Sequence, residues 1–309
     1  MHSSTGGISM AATATAGPHP IDAPARQHLS IHGRSIAYCE YPGSGPVLLM
    51  IHGVGSNADC WNEVIPALVE GGAHVVAVDL PGHGQSGKVR GDYSLGAMAN
   101  ALRDLLDHLG HDRAVLVGHS LGGGIAMQFY YQFPTRVDGL VLVSSGGLGE
   151  ETRPWLRAAT LPGTEVVLSA IGSRATISSA SWVSRRLSTF GVKPRILADD
   201  ALTRLREFGD RDYRNAFLAT LRSVVDISGQ RVSALGQLSL ARELPVLLIW
   251  GQDDPTIPLE HGHNANRILP KARLVVFEGA GHEPHMHDPG RFAKSLLRYL
   301  KLDVAIPVT

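Results

Sequence analysis

Along this chain, short runs of consecutive apolar residues alternate with longer stretches in which apolar residues recur at helical spacing. Short apolar runs of four to seven residues suit strands buried on both faces, and the amphipathic stretches between them suit helices that return the chain for parallel pairing. Strands are predicted at 46–51 (PVLLMI), 74–80 (HVVAVDL), 114–118 (AVLVG), 140–143, 246–250 (VLLIW) and 273–277 (RLVVF), with helices at 95–109 and 121–132 among the connections. Two earlier runs, 29–31 and 35–41, flank Gly33 and predict an antiparallel start to the sheet. The fold class that follows is α/β, with a mostly parallel, doubly wound sheet.

The rhythm breaks after Ser145. From 146 to 236 no strong β run occurs, and Pro154, Pro162, Gly163, Gly172, Gly191 and Pro194 divide what reads as helical pieces. Alternation resumes at Leu244. The expected organisation is therefore a core formed by 27–145 and 237–309, with a helical cap at 146–236 lying over the strand ends. The first 26 residues, rich in Ala, Thr, Ser, Gly and Pro, carry no long apolar run and are expected to be a disordered leader.

Composition narrows the classes of partner. With 28 basic and 28 acidic residues in 309, no net field draws the chain to nucleic acid or to an anionic surface. No apolar stretch approaches the length of a membrane span. The two cysteines, Cys39 and Cys60, fall on a predicted strand and a predicted helix and are expected to be reduced thiols of a cytoplasmic protein.

The candidate chemistry lies just past the carboxyl ends of the predicted strands. Gly118-His119-Ser120-Leu121-Gly122 stands where a buried strand meets a helix, the setting of a nucleophile elbow, with glycines where a Cβ would obstruct the turn. The helix that follows offers free N–H groups and its positive end to a developing anion. Upstream, His52-Gly53-Val54-Gly55 follows another strand. An oxyanion hole needs two convergent donors, and the backbone N–H groups of Val54 and Leu121 are the candidates. The His52 side chain is expected to shape that loop.

Serine needs a base, and the base needs a partner that sets its tautomer. His282, after the last strand, supplies the first. A carboxylate in Gly251-Gln252-Asp253-Asp254-Pro255 supplies the second, and the order serine, acid, histidine suits this architecture.

On these motifs the chain resembles the α/β-hydrolase fold superfamily, over roughly 27–145 and 244–302. The superfamily pattern G-x-x-D-x-x-x-P maps onto Gly251, Asp254 and Pro258 and implies Asp254, rather than Asp253, as the acid. The run from Asp79 to Ser86 (DLPGHGQS) resembles a structural loop of the same superfamily. The resemblance implies a catalytic group of Ser120, His282 and Asp254, no cofactor and no metal. A site built from His261, His263, His285 and His287 is the metal alternative, and nothing in the pattern calls for it. Asp253 is expected to cap its loop, Trp250 to lie in the core and His119 to touch only the pocket wall.

The expected activity is hydrolysis of a carboxylic ester or related acyl bond through an acyl-enzyme. Serine at 120 sets aside the dehalogenase and epoxide hydrolase chemistries, which need aspartate there. Carbon–carbon hydrolysis of meta-cleavage ring-fission products is one alternative, weakened by His119 where that group has Asn. A non-catalytic receptor on the same scaffold is the other. The expected partner is a small acyl substrate with an apolar part, and a homodimer is an open expectation for assembly. Arginines of the cap (Arg153, Arg157, Arg174, Arg185, Arg186, Arg204, Arg206) are read mostly as a solvated face. Its apolar residues (Leu156, Leu161, Val166, Val167, Leu168, Ile171, Trp182, Phe190) are read either as pocket lining or as packing onto the core.

Overall fold

A computed structural model describes residues 24–189 and 199–304 of the chain. Eight strands form one sheet: β1 (Gln27–Ile31), β2 (Arg34–Tyr41), β3 (Val47–Ile51), β4 (His74–Val78), β5 (Ala114–His119), β6 (Val137–Val143), β7 (Val246–Gly251) and β8 (Arg273–Phe277). Their order across the sheet is β1-β2-β4-β3-β5-β6-β7-β8, and every pairing from β4 to β8 is parallel. Only β2 runs against the rest, antiparallel to both β1 and β4. The β1–β2 turn is made by His32 and Gly33, both at positive φ (47° and 76°), the conformation that matches a two-residue hairpin to strand twist.

Eleven α-helices are described: α1 (Ile65–Glu70), α2 (Leu95–His108), α3 (Leu121–Gln132), α4 (Pro154–Ala159), α5 (Thr164–Ile171), α6 (Arg174–Thr189), α7 (Asp199–Glu207), α8 (Arg211–Val224), α9 (Leu259–Ile268), α10 (Pro284–His287) and α11 (Pro289–Leu302). The pleat explains why the central strands are apolar throughout. In β3, Leu49 and Ile51 join the cluster that holds Leu102 and Leu105 of α2 and Ile125 of α3, whereas Leu48 and Met50 join Leu68 of α1 and Phe292 and Leu296 of α11. The sheet is thus covered on both faces, the doubly wound arrangement the apolar runs predict.

Strand β6 begins at Val137, three residues before the predicted run. Asp138 and Gly139 interrupt the apolar pattern there, and a Cβ at Gly139 would meet the Tyr299 hydroxyl, which reaches across from α11. Cys60 lies in a 3-10 turn, Ala58–Trp61, rather than an α-helix, and no disulfide joins the two cysteines.

The helices α4 to α8 all fall between β6 and β7, where the rhythm breaks. Their apolar residues divide. Leu156 is buried, while Leu161, Val166, Val167 and Trp182 are exposed; Phe190 and the side chains of Arg185 and Arg204 lie outside the described residues. At the amino end, the expected leader lies outside the described residues up to position 23. Arg26, assigned to that leader, is an exception: its guanidinium sits 2.7 Å from the Asp79 carboxylate and also pairs with Asp59. A fully enclosed carboxylate such as Asp79 needs a counter-charge, a demand that local composition does not reveal. No described helix is long and apolar enough to cross a membrane.

Candidate active site

Ser120 is the single residue between β5 and α3, at φ 53° and ψ −114°. That backbone is strained, and its surroundings hold it there. Its N–H donates to Val143 at 2.9 Å, and its carbonyl accepts from Gly123 at 3.0 Å and Gly146 at 2.9 Å. A Cβ on Gly118 would strike the Gly122 carbonyl, and one on Gly122 would strike the Ile51 carbonyl, so the strand, elbow and helix approach this closely only with glycine.

The acid and the histidine come from neighbouring loops. Gln252 N–H donates to the Phe277 carbonyl and Asp253 N–H to the Ala280 carbonyl, each at 2.9 Å, which sews the loop after β7 to the loop after β8. A side chain on Gly251 would collide with the Gly281 carbonyl, so glycine is required for this contact. Asp254 Oδ2 lies 2.8 Å from His282 Nδ1. Its Oδ1 accepts from the N–H groups of Thr256 at 2.8 Å and Ile257 at 3.0 Å. The Asp254 carboxylate is fully enclosed, whereas Asp253 faces solvent. With both oxygens engaged, Asp254 holds Nδ1 of His282 in its protonated form and leaves Nε2 as the basic nitrogen. Among the described residues no hydrogen bond joins Ser120 Oγ to His282. Such contacts often close only in the substrate complex.

His119 does more than touch a wall. Its Nε2 donates to the His282 carbonyl at 2.9 Å, and the two rings lie 4.8 Å apart. Burial, then the neighbouring His285 and His282, pushes its pKa well below the usual imidazole value, so it is neutral. The elbow and the histidine loop, 163 positions apart, are therefore tied by one side chain. Nothing local in the sequence marks this contact.

Neither Val54 N–H nor Leu121 N–H has a hydrogen-bond acceptor among the described residues. The loop that carries Val54 is set by His52, whose Nδ1 donates to the Gly53 carbonyl at 2.7 Å while Nε2 accepts from Leu80 N–H at 3.0 Å. Burial first, and the adjacent His83 second, push its pKa down to about 3. Both ring nitrogens are thus spent on backbone. The DLPGHGQS loop has the same character: Asp79 accepts from Ala58 N–H and Gln85 N–H, each at 2.8 Å, and Ser86 Oγ donates to the Asp79 carbonyl at 2.6 Å.

Ser120, Val54 and Leu121 line one cavity of about 60 Å³, together with Leu156 of α4 and Leu221 of α8. Its lining among the described residues is aliphatic apart from Ser120, Thr152, Gln230 and Thr256, and contains no charged side chain. His282 is not part of that lining.

The other histidines do not gather. His261 lies 2.6 Å from Glu151, His285 packs on Trp61 with ring centroids 4.4 Å apart, and His263 and His287 face solvent. Three potential ligands do meet at the opposite edge of the sheet, where His74 and His111 lie 2.8 and 3.0 Å from Glu40. There Nδ1 of His74 accepts Gly43 N–H at 3.3 Å, which leaves the proton on Nε2, the atom a metal would need bare.

Residues 48–295 match the alpha/beta hydrolase family, and the chain belongs to that family. An uncharacterized protein of Mycobacterium tuberculosis is 41% identical over 281 residues, 90% of this chain and 81% of that protein. The 2-hydroxy-6-oxo-6-phenylhexa-2,4-dienoate hydrolase of Burkholderia cepacia is 28% identical over 266 residues, 84% of this chain and 88% of the relative. Among solved structures, Est816, described as an N-acyl homoserine lactone degrading enzyme, superposes with a TM-score of 0.67 and 28% identity, covering 87% of this chain and 98% of that one.

Proposed function

We propose that this chain is a serine hydrolase that cleaves a carboxylic ester or lactone through an acyl-enzyme. The observation that carries the reading is the 2.8 Å bond from the enclosed Asp254 carboxylate to His282, on the loop that His119 ties to the elbow of Ser120. In the first step His282 Nε2 takes the Ser120 proton as Oγ attacks the acyl carbon. The carbonyl oxygen, now an alkoxide, is met by the backbone N–H groups of Val54 and Leu121. Collapse expels the alcohol, which receives the proton from His282, and water then enters along the same path to free Ser120. Asp254 stabilises the transient imidazolium and does not itself change protonation.

Carbon–carbon hydrolysis of ring-fission products is the second reading, and the Burkholderia relative favours it. Such substrates are anionic. The Ser120 cavity has no charged side chain in its described lining, which supports the neutral ester instead. The test is labelling by a fluorophosphonate probe together with turnover of p-nitrophenyl esters and of a coloured dienoate ring-fission product. Ester turnover should exceed dienoate turnover, and Ser120→Ala should abolish labelling and lower kcat on the order of 10⁴-fold or more. A folded wild type that is neither labelled nor active on esters would overturn the reading.

A further inference from the structure

Helix α3 opens with three consecutive glycines, and only two of them have a steric reason to be there. A Cβ on Gly122 would meet the Ile51 carbonyl, and one on Gly123 would meet Ser145. A Cβ on Gly124 would find nothing nearer than Leu95 Cδ1 at 3.7 Å, ordinary contact distance. Glycine inside a helix costs about 1 kcal/mol against alanine, so packing alone gives no account of Gly124. What Gly124 does border is two cavities. It lines the Ser120 cavity and also a second cavity of about 160 Å³, and the two share Leu95, Gly124, Gly147 and Val232.

The second cavity continues along the same helix. Leu121 and Gly124 border the first cavity; Gly124, Met127, Gln128 and Tyr131 border the second. Steps of three and four residues keep these positions on one face of α3, and from Leu121 to Tyr131 that face extends about 15 Å. The inner part is aliphatic, and the far end carries the polar residues Gln128, Ser233 and Gln237. An apolar cavity of roughly 150 Å³ accepts a guest of benzene size, so the second cavity has room for about six carbons beyond those next to Ser120.

We infer that a linear alkyl chain of the substrate runs from Ser120 past Gly124 into the cavity that ends at Tyr131, which makes medium-chain esters the preferred class. The inference rests on the ester hydrolase reading above. Absence of the Gly124 side chain forms the passage, and the aliphatic wall supplies affinity by removing methylene groups from water. The same channel suits a chain on the acyl side or on the alcohol side of the ester.

The test compares kcat/KM for p-nitrophenyl octanoate against the acetate, and for octyl acetate against ethyl acetate, in the wild type, Gly124→Val and Gly124→Ala. The wild type should prefer the octyl member of one pair. Valine should lower that preference by about tenfold or more, the loss expected when about two methylenes stay in water, and alanine should lower it less. A fall in the octanoate pair assigns the channel to the acyl side; a fall in the octyl acetate pair assigns it to the alcohol side. Alanine at 124 has steric room, so it keeps the comparison available should valine perturb folding, which a thermal melt reports. Ratios unchanged in both variants, with esters still hydrolysed, would overturn the channel and leave the hydrolase standing. A wild type inactive on every ester would overturn the hydrolase reading and the channel with it.

Discussion

The two edges of the sheet each pair imidazole with a carboxylate, and the two groups are wired differently. At the amino edge, His74 and His111 both turn Nε2 to the same oxygen of Glu40, at 2.8 and 3.0 Å. Burial alone would raise the Glu40 carboxyl, but the hydrogen bonds from His111 and His74 outweigh it and hold it below its ordinary value. At the carboxyl edge, one carboxylate serves one imidazole: Asp254 takes Nδ1 of His282, and Nε2 has no hydrogen-bond partner among the described residues. Beside it, His52 has both nitrogens committed to backbone. His74, like His52, has both ring nitrogens engaged, whereas His111 and His282 are each held through one nitrogen; His111 shares its carboxylate oxygen with His74, and His282 has its carboxylate to itself. The contrast is one of hydrogen-bond accounting, since each edge pairs imidazole with a carboxylate: Glu40 with two rings, Asp254 with one.

The contrast can be broken most severely at Asp254. Asp254→Asn keeps the shape but removes the charge that fixes the His282 tautomer, and kcat on p-nitrophenyl butyrate should fall on the order of 10³- to 10⁴-fold. Asp253→Asn, on a side chain facing solvent, should leave kcat within about twofold, since surface changes away from buried partners are close to neutral. Equal losses in both would mean that the 2.8 Å pair does not orient the base.

A smaller effect is expected at His52, where the loss is of stability. His52→Ala orphans the buried Leu80 N–H and should lower the unfolding free energy by about 1 to 3 kcal/mol in urea titrations. The wild type should also lose stability on acidification. His52 and His83 have folded pKa values pushed by burial down to about 3 and about 4, below the ordinary 6.5. Between those limits the unfolded chain binds protons that the native chain refuses, so stability present above about pH 6.5 drains away as the pH falls. Each of the two should withdraw roughly 2 kcal/mol between pH 7 and pH 5. His52→Ala should show a shallower acid slope; a slope unchanged from wild type would deny that this ring is buried neutral.

The least consequence is expected at the amino edge. Glu40→Gln removes a partly exposed carboxylate, and about 1 kcal/mol or less of stability should go with it, with kcat unaltered. A large loss of activity there would mean that the two edges are coupled.

Much of this was legible before folding. The strands β3 to β8 announce themselves as apolar runs because the sheet is covered on both faces there, and β6 starts three residues before its run because Gly139 makes way for Tyr299. Ser120, His282, Val54 and Leu121 were legible because each follows an apolar strand in a glycine-rich turn. Asp254 could be separated from Asp253 only through the superfamily pattern; in the structure the choice corresponds to which carboxylate is enclosed. Arg26 was misplaced in a leader because its partner, Asp79, is 53 positions away.

What the sequence determines by itself, then, is the order of strands and helices and which side chains stand at the strand ends, because hydrophobic periodicity and glycine placement act over a few residues at a time. Only tertiary structure decided that His119 ties the elbow to the histidine loop, that His52 is spent on backbone, and that the glycine at 124 opens onto two cavities while those at 122 and 123 are filled by neighbours. Those outcomes depend on which distant groups arrive within a few ångströms, and no local pattern along the chain encodes that distance.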